Sequence, residues 1–335
     1  MKKDIVFIDT SVFKANNYFS DTSKINKLEE LASKGRISIV LTSITKTEII
    51  RHLTKDIESA RKSVRKRDNE VLRNIKGTDR YFSALDNLDA EKVATEKVNT
   101  FIKRSEAYVI DLKYCKDIEA IFYKYFKQEF PFSEKKQKEF PDAFALAALE
   151  GYNRNSGNKI IVLSTDPDML NYRSDKLICK DYKKYISGKI SEDIDLSVLY
   201  AELDVYSKRL KDKLKNDIEN FLDDKSLYFD RIENGDLHNI DVKDIQVEFN
   251  SSDVYVDEIN DQFIEFELEI HVDYKVGISY DDYTNAIYDN EDKEWYGSEY
   301  TLEDIIASGS TIVNLEFEKN TKDFEIKEAD YSDLL

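Results

Sequence analysis

Along the first 190 residues the apolar positions fall into short unbroken runs separated by longer stretches of helical period. Lys3–Ile8, Ile37–Leu41 and Ile160–Leu163 are such runs, rich in β-favouring residues, and each predicts a buried strand; Tyr108–Leu112 and Leu177–Cys179 read as two further strands. Gly35 breaks the chain before the second run. Thr42 and Ser43 after it are cap residues for a helix over Thr45–Leu53. Charged stretches predict further helices over Asp56–Arg73 and Asp89–Arg104. Pro141 suits the first position of a helix rich in alanine (Ala143, Ala145, Ala147, Ala148), with Gly151 expected as its C-cap. Strands alternating with helices predict an α/β fold, a parallel sheet flanked by helices on both faces.

The period changes near residue 191. Leu196, Leu199, Leu203, Tyr206, Leu210, Leu214, Ile218 and Phe221 are spaced for one long amphipathic helix. Beyond it, Ile264, Phe266, Leu268, Ile270, Val272, Tyr274 and Val276 alternate with polar residues, the mark of a strand with one buried and one wet face. Asp244–Phe249 and Thr311–Phe317 read as further strands, and one-sided burial favours an antiparallel sheet. Two domains are expected: residues 1–190, an α/β unit, and residues 191–335, an α+β unit with an antiparallel sheet.

Composition narrows the class. Hydrophobic residues are 41% of the 335 and aromatic ones 12%, which excludes global disorder. No run approaches the ~18 apolar residues of a membrane-spanning helix. The apolar stretch after Met1-Lys2-Lys3 ends at Asp9, too soon for a signal peptide. Cys115 and Cys179 are the only cysteines, too few and too far apart for a disulfide scaffold or a cysteine zinc site. A cytoplasmic protein without a membrane partner is the expectation. The charge is split: residues 191–335 carry 13 Lys+Arg against 40 Asp+Glu, a net −27, and residues 1–190 a net +9. A polyanion would be repelled by the second module and tolerated by the first.

Four acids sit where chemistry would be placed. Asp9 directly follows the first strand, and Asp166 follows the fourth after Ser164 and Thr165. Ligands of open parallel sheets bind outside the carboxyl ends of the strands. Glu48 lies on the helix after the second strand and Asp142 in the first turn after Pro141, so all four can reach one crevice. Clustered carboxylates raise one another's pKa, and a divalent cation relieves that cost. Oxygen-only donors select Mg²⁺ or Mn²⁺ over zinc.

The stretches carrying these acids are "FIDTS" at Phe7–Ser11, "TEIIRH" at Thr47–His52, "PDAFALAAL" at Pro141–Leu149 and "VLSTDPD" at Val162–Asp168. In order and strand context they resemble the four acidic motifs of PIN-domain nucleases, over roughly residues 1–185, with a long helical insertion between the second and third. The likeness is to the larger bacterial type with an extra C-terminal region. The resemblance implies that Asp9, Glu48, Asp142 and Asp166 bind the metal and that Asp168 is a candidate fifth ligand, although Pro167 turns the chain between the last two. It also implies that Thr10 and Ser11 orient Asp9 and that Thr165 does so for Asp166. The implied reaction is phosphodiester hydrolysis, of RNA more than of DNA, leaving a 5′-phosphate and a 3′-hydroxyl, with toxin or phage-defence biology as a setting.

Arg61, Lys62, Arg65 and Lys66 pair by i,i+4 spacing and form a candidate phosphate-tracking face. The competing reading is a non-catalytic protein in which the first module is a scaffold. The acidic domain would then dock a basic protein partner or mimic nucleic acid. A homo-oligomer is compatible with either reading.

Overall fold

The structure is a computed structural model. It describes residues 3–20, 23–64, 78–133, 139–154, 158–228, 232, 235–289 and 292–334. Contacts divide the chain into two compact units, Met1–Ile186 and Ser187–Leu335.

The first unit is built on a parallel sheet of β1 (Asp4–Ile8), β2 (Ile37–Thr42), β3 (Tyr108–Ile110), β4 (Ile160–Ser164) and β5 (Leu177–Asp181), in the order β3-β2-β1-β4-β5. Val6, Ile8, Ile37, Leu41, Ile160, Val162 and Leu163 are fully buried. Strands covered on both faces by helices have no wet side to alternate towards, so they read as continuous apolar runs. The expected parallel α/β fold is what the chain forms. β1 lies between β2 and β4, with Phe7 beside Val40 on one side and Val162 on the other. The order of strands reverses there, which opens a crevice at the carboxyl end of β1.

Two expectations are corrected within this unit. The helices foreseen over Thr45–Leu53 and from Asp56 onward are one helix, Ser43–Val64, because nothing between Leu53 and Asp56 breaks a helix. The remainder of the Asp56–Arg73 stretch lies outside the described residues. Gly151 is not a C-cap. The helix runs Phe140–Tyr152, with Asn153 at its end. A Cβ at Gly151 would stand 1.9 Å from the backbone oxygen of Tyr114, so glycine is needed there for close backbone approach.

The second unit packs the helix Ser197–Leu222 against an antiparallel sheet. Its strands are β6 (Gly235–Glu248), β7 (Val254–Ile259), β8 (Phe263–Asp282), β11 (Glu299–Glu318) and β12 (Asp323–Ala329). A separate hairpin pairs β9 (Ile287–Asp289) with β10 (Glu294–Tyr296). The sheet runs β12-β11-β8-β6, with β7 also on β8. Leu199, Leu203, Leu210, Leu214 and Ile218 of the helix share one core with Phe266, Leu268, Ile270, Val272, Val276, Leu315 and Phe317. The antiparallel sheet and the long helix match expectation. β7, β9, β10, β12 and the first half of β11 are additions to it.

Candidate active site

Asp9 is the first residue beyond β1 and is only 6% exposed. Its backbone N–H donates to Leu163 O of β4 at 2.9 Å, so the chain leaves β1 still tied to its neighbour. Its carboxylate caps the helix Thr10–Ala15, accepting from the Ser11 N–H at 3.3 Å. It also accepts from the Ser11 hydroxyl and, at 2.8 Å, from the Ser164 hydroxyl. Burial pushes the Asp9 pKa up against the pull of these donors.

Glu48 sits on the helix after β2, half-buried, with the Thr10 hydroxyl 3.4 Å from Oε2. That helix starts where Thr42 Oγ1 accepts from Thr45 N–H at 3.1 Å, a cap anticipated from its residue type. Burial, and next the charge of Asp9, raise the Glu48 pKa. Asp142 stands in the first turn of the helix Phe140–Tyr152. Its carboxyl is pushed up to about 9, first by burial, next by a hydrogen bond with the Glu139 side chain, then by the charges of Asp9 and Glu48. A helix N-terminus by itself favours a negative charge, so the other effects outweigh the dipole here.

Asp166 caps the short helix Pro167–Leu170 and accepts from the Asp168 N–H at 2.9 Å. Its own N–H donates to Ser164 Oγ at 3.0 Å, and the same hydroxyl reaches Asp9. The structure thus brings Asp9, Glu48 and Asp142 within electrostatic reach of one another and joins Asp166 to Asp9 through one serine. The Thr10 hydroxyl faces Glu48, and Thr10 reaches Asp9 through its backbone N–H. Thr165 enters through its backbone N–H, which donates to Ser11 Oγ at 3.1 Å. Asp168 is half-buried one turn further on.

Two residues were missed from sequence. Ser164 is a plain polar residue at a strand end, and only the adjacency of β1 and β4 gives it meaning. Glu139 precedes Asp142 by three, a helical spacing that could have flagged it. Of the basic group, Arg61 turns inward and donates to Leu88 O at 3.0 Å, and Lys62 is exposed. Arg65 and Lys66 lie outside the described residues.

Among the described residues no three His, Cys, Asp or Glu side chains stand as a ready-made metal-binding group. The carboxylates form a hydrogen-bonded set instead, with Asp142 holding a proton at neutral pH. The donor chemistry still fits a hard divalent cation: all oxygen, with Asp9 buried and the others partly so, and with charges of Asp9 and Glu48 that raise their neighbours.

A parallel sheet ordered 3-2-1-4-5, with acids gathered at its switch point, defines an α/β protein with an acidic crevice. Residues 6–169 match the PIN domain family, which makes the first unit a PIN-type domain. PIN domains are generally metal-dependent nucleases. No curated protein sequence matches the chain. A solved structure with 17% identity, VapBC2 from Rickettsia felis bound to a DNA fragment from its promoter, covers 53% of this chain and 98% of its own, with a TM-score of 0.28. Among the described residues no helix is long and apolar enough to cross a membrane.

Proposed function

We propose that the first unit is a Mg²⁺- or Mn²⁺-dependent nuclease that hydrolyses phosphodiester bonds, with RNA as the first substrate to test. The observation that supports this most is the mutual charge coupling of Asp9, Glu48 and Asp142 at the carboxyl end of β1. Asp9, Glu48, Asp142 and Asp166 would hold the cation, with Glu139 and Asp168 at its margin. When bound, a divalent cation activates water and stabilises the leaving oxygen of a phosphodiester.

The chain's own residues prepare that site. Ser11 and Ser164 fix the rotamer of Asp9 from two sides, and Thr10 steadies Glu48. The proton on Asp142, beside the Glu139 side chain that hydrogen-bonds it, must leave before Asp142 can act as an anionic ligand. Burial shields Asp9 from bulk water, and partial burial limits the solvation of Glu48, Asp142 and Asp166. Lys62 offers one exposed cation to a phosphate backbone. The 2′-hydroxyl is not the nucleophile in such hydrolysis, so the chemistry itself tolerates DNA.

The test is cleavage of RNA and DNA pools with Mg²⁺, Mn²⁺ or EDTA, beside Asp9→Asn and Glu48→Gln. Metal-dependent cleavage lost in both variants is expected. Full activity in Asp9→Asn overturns the site. Mn²⁺ should also raise the melting temperature of the parent and leave Glu48→Gln nearly unmoved.

A further inference from the structure

The second unit's sheet is guarded on one side and open on the other. Strand edges expose unpaired backbone groups, and proteins blunt them with bulges, lysine or proline. The β6 edge is blunted: its register with β8 slips twice, between Leu237 and Asn239 and between Val242 and Asp244, and it carries Lys243. β12 carries Lys327 and meets a register slip at Asn314/Leu315. β11 differs. It stays in unbroken register with β8 from Glu299 to Glu318. Its partner on the other side, β12, joins only at Val313. Among the described residues no strand pairs with the outer edge of β11 over Glu299–Ser308. This stretch is ~33 Å long at the usual rise per residue.

β11 contains no Lys, Arg or Pro from end to end. Lysines on its neighbours are committed within the sheet: Lys243 and Lys275 both bind Asp304. On one face of the open stretch Leu302 and Ile306 are 74% and 75% exposed. On the other, Ile305 and Ala307 pack against the unit's core. The edge is therefore two-faced, with two bare aliphatic side chains on its outer side and acids at its first end, Glu299 on β11 and Asp281 and Asp282 opposite on β8.

The charge decides the occupant. Pairing with the same edge of a second copy would set one −27 unit against another and is repelled. Acidic guards exclude self-pairing but invite a cationic strand. We propose that the β11 edge over Glu299–Ser308 takes up, by strand addition, an extended basic segment of another protein. Main-chain hydrogen bonds hold it, its apolar side chains lie beside Leu302 and Ile306, and its Lys or Arg side chains meet the acidic rim. This site is independent of the carboxylates of the first unit.

The probe is a labelled ten-residue peptide alternating valine and lysine, titrated into the full-length protein by fluorescence anisotropy. The Leu302→Lys/Ile306→Lys double variant alters only exposed side chains and should melt as the parent does. It should bind at least tenfold more weakly. Glu325→Lys on β12 makes the same change in net charge and should bind within twofold of the parent. Hydrogen exchange at the amides of Glu299–Ser308 should slow on adding peptide. Equal weakening in Glu325→Lys, unchanged exchange at those amides, or no binding of the peptide overturns the proposal. Protection that rises with protein concentration without peptide would assign the edge to a second copy and overturn it as well.

Discussion

Ser164 holds the most informative position in the site. One hydroxyl accepts from the Asp166 N–H and donates to the buried Asp9. Ser164→Ala leaves Asp9 with fewer donors in a dry place, at a cost of about 1–3 kcal/mol. The expected outcome is a lower urea midpoint and slower cleavage, with Ser164→Thr recovering part of both. Asp142 makes a pH prediction. Its folded pKa, about 9, lies above the unfolded carboxylate value, so the proton stabilises the folded state. The contribution is complete below about pH 4 and is lost as pH rises through 9. The cation-free protein should therefore melt lower at pH 9 than at pH 5 in EDTA, and Asp142→Asn should flatten that slope. Mn²⁺ should bind more tightly as pH rises and release protons, which calorimetry in buffers of different ionisation heat will read.

At the scale of elements, Gly151 shows how packing overrides propensity. Glycine within a helix costs roughly 0.5–1 kcal/mol against alanine. Gly151→Ala should nevertheless destabilise, because its Cβ would overlap the Tyr114 backbone, and overpacking of this kind costs about 1–3 kcal/mol. A rise in stability on denaturant titration would falsify this account. The strands were legible where burial is two-sided. β1, β2 and β4 are apolar runs within a residue or two of where they were expected. β7, β12 and the first half of β11 were not, because they are short or mix polar residues on both faces. Glu299–Ser308 holds its strand form through the ladder to β8, and a sequence window cannot see a ladder partner.

At the scale of the whole molecule, the second unit has a hydrophobic core of its own, in which Leu214 is fully buried. Leu214→Ala should cost the second unit about 2–5 kcal/mol through the cavity it leaves. The expected calorimetric result is a lowered transition for that unit, with metal-dependent cleavage by the first unit retained. Loss of cleavage in step with that transition would show that the units are thermodynamically coupled. The charge division between the modules is a property of composition, and its effect on partners is sensitive to salt.

Pattern alone determined the α/β character of the first unit, the long helix and antiparallel sheet of the second, and the four acids at strand and helix ends. These follow from local rules: apolar runs mark buried strands, period marks faces, and chain geometry places the residue after a strand at the sheet's edge. Tertiary structure alone decided that β1 lies beside β4, which lets Ser164 serve Asp9 and Asp166 together. It decided that the Glu139 side chain hydrogen-bonds Asp142, that Arg61 turns inward, and that β11 has an open edge among the described residues. Each of these depends on which distant segment becomes a neighbour, and neighbours far apart in the chain are chosen by packing of the whole unit.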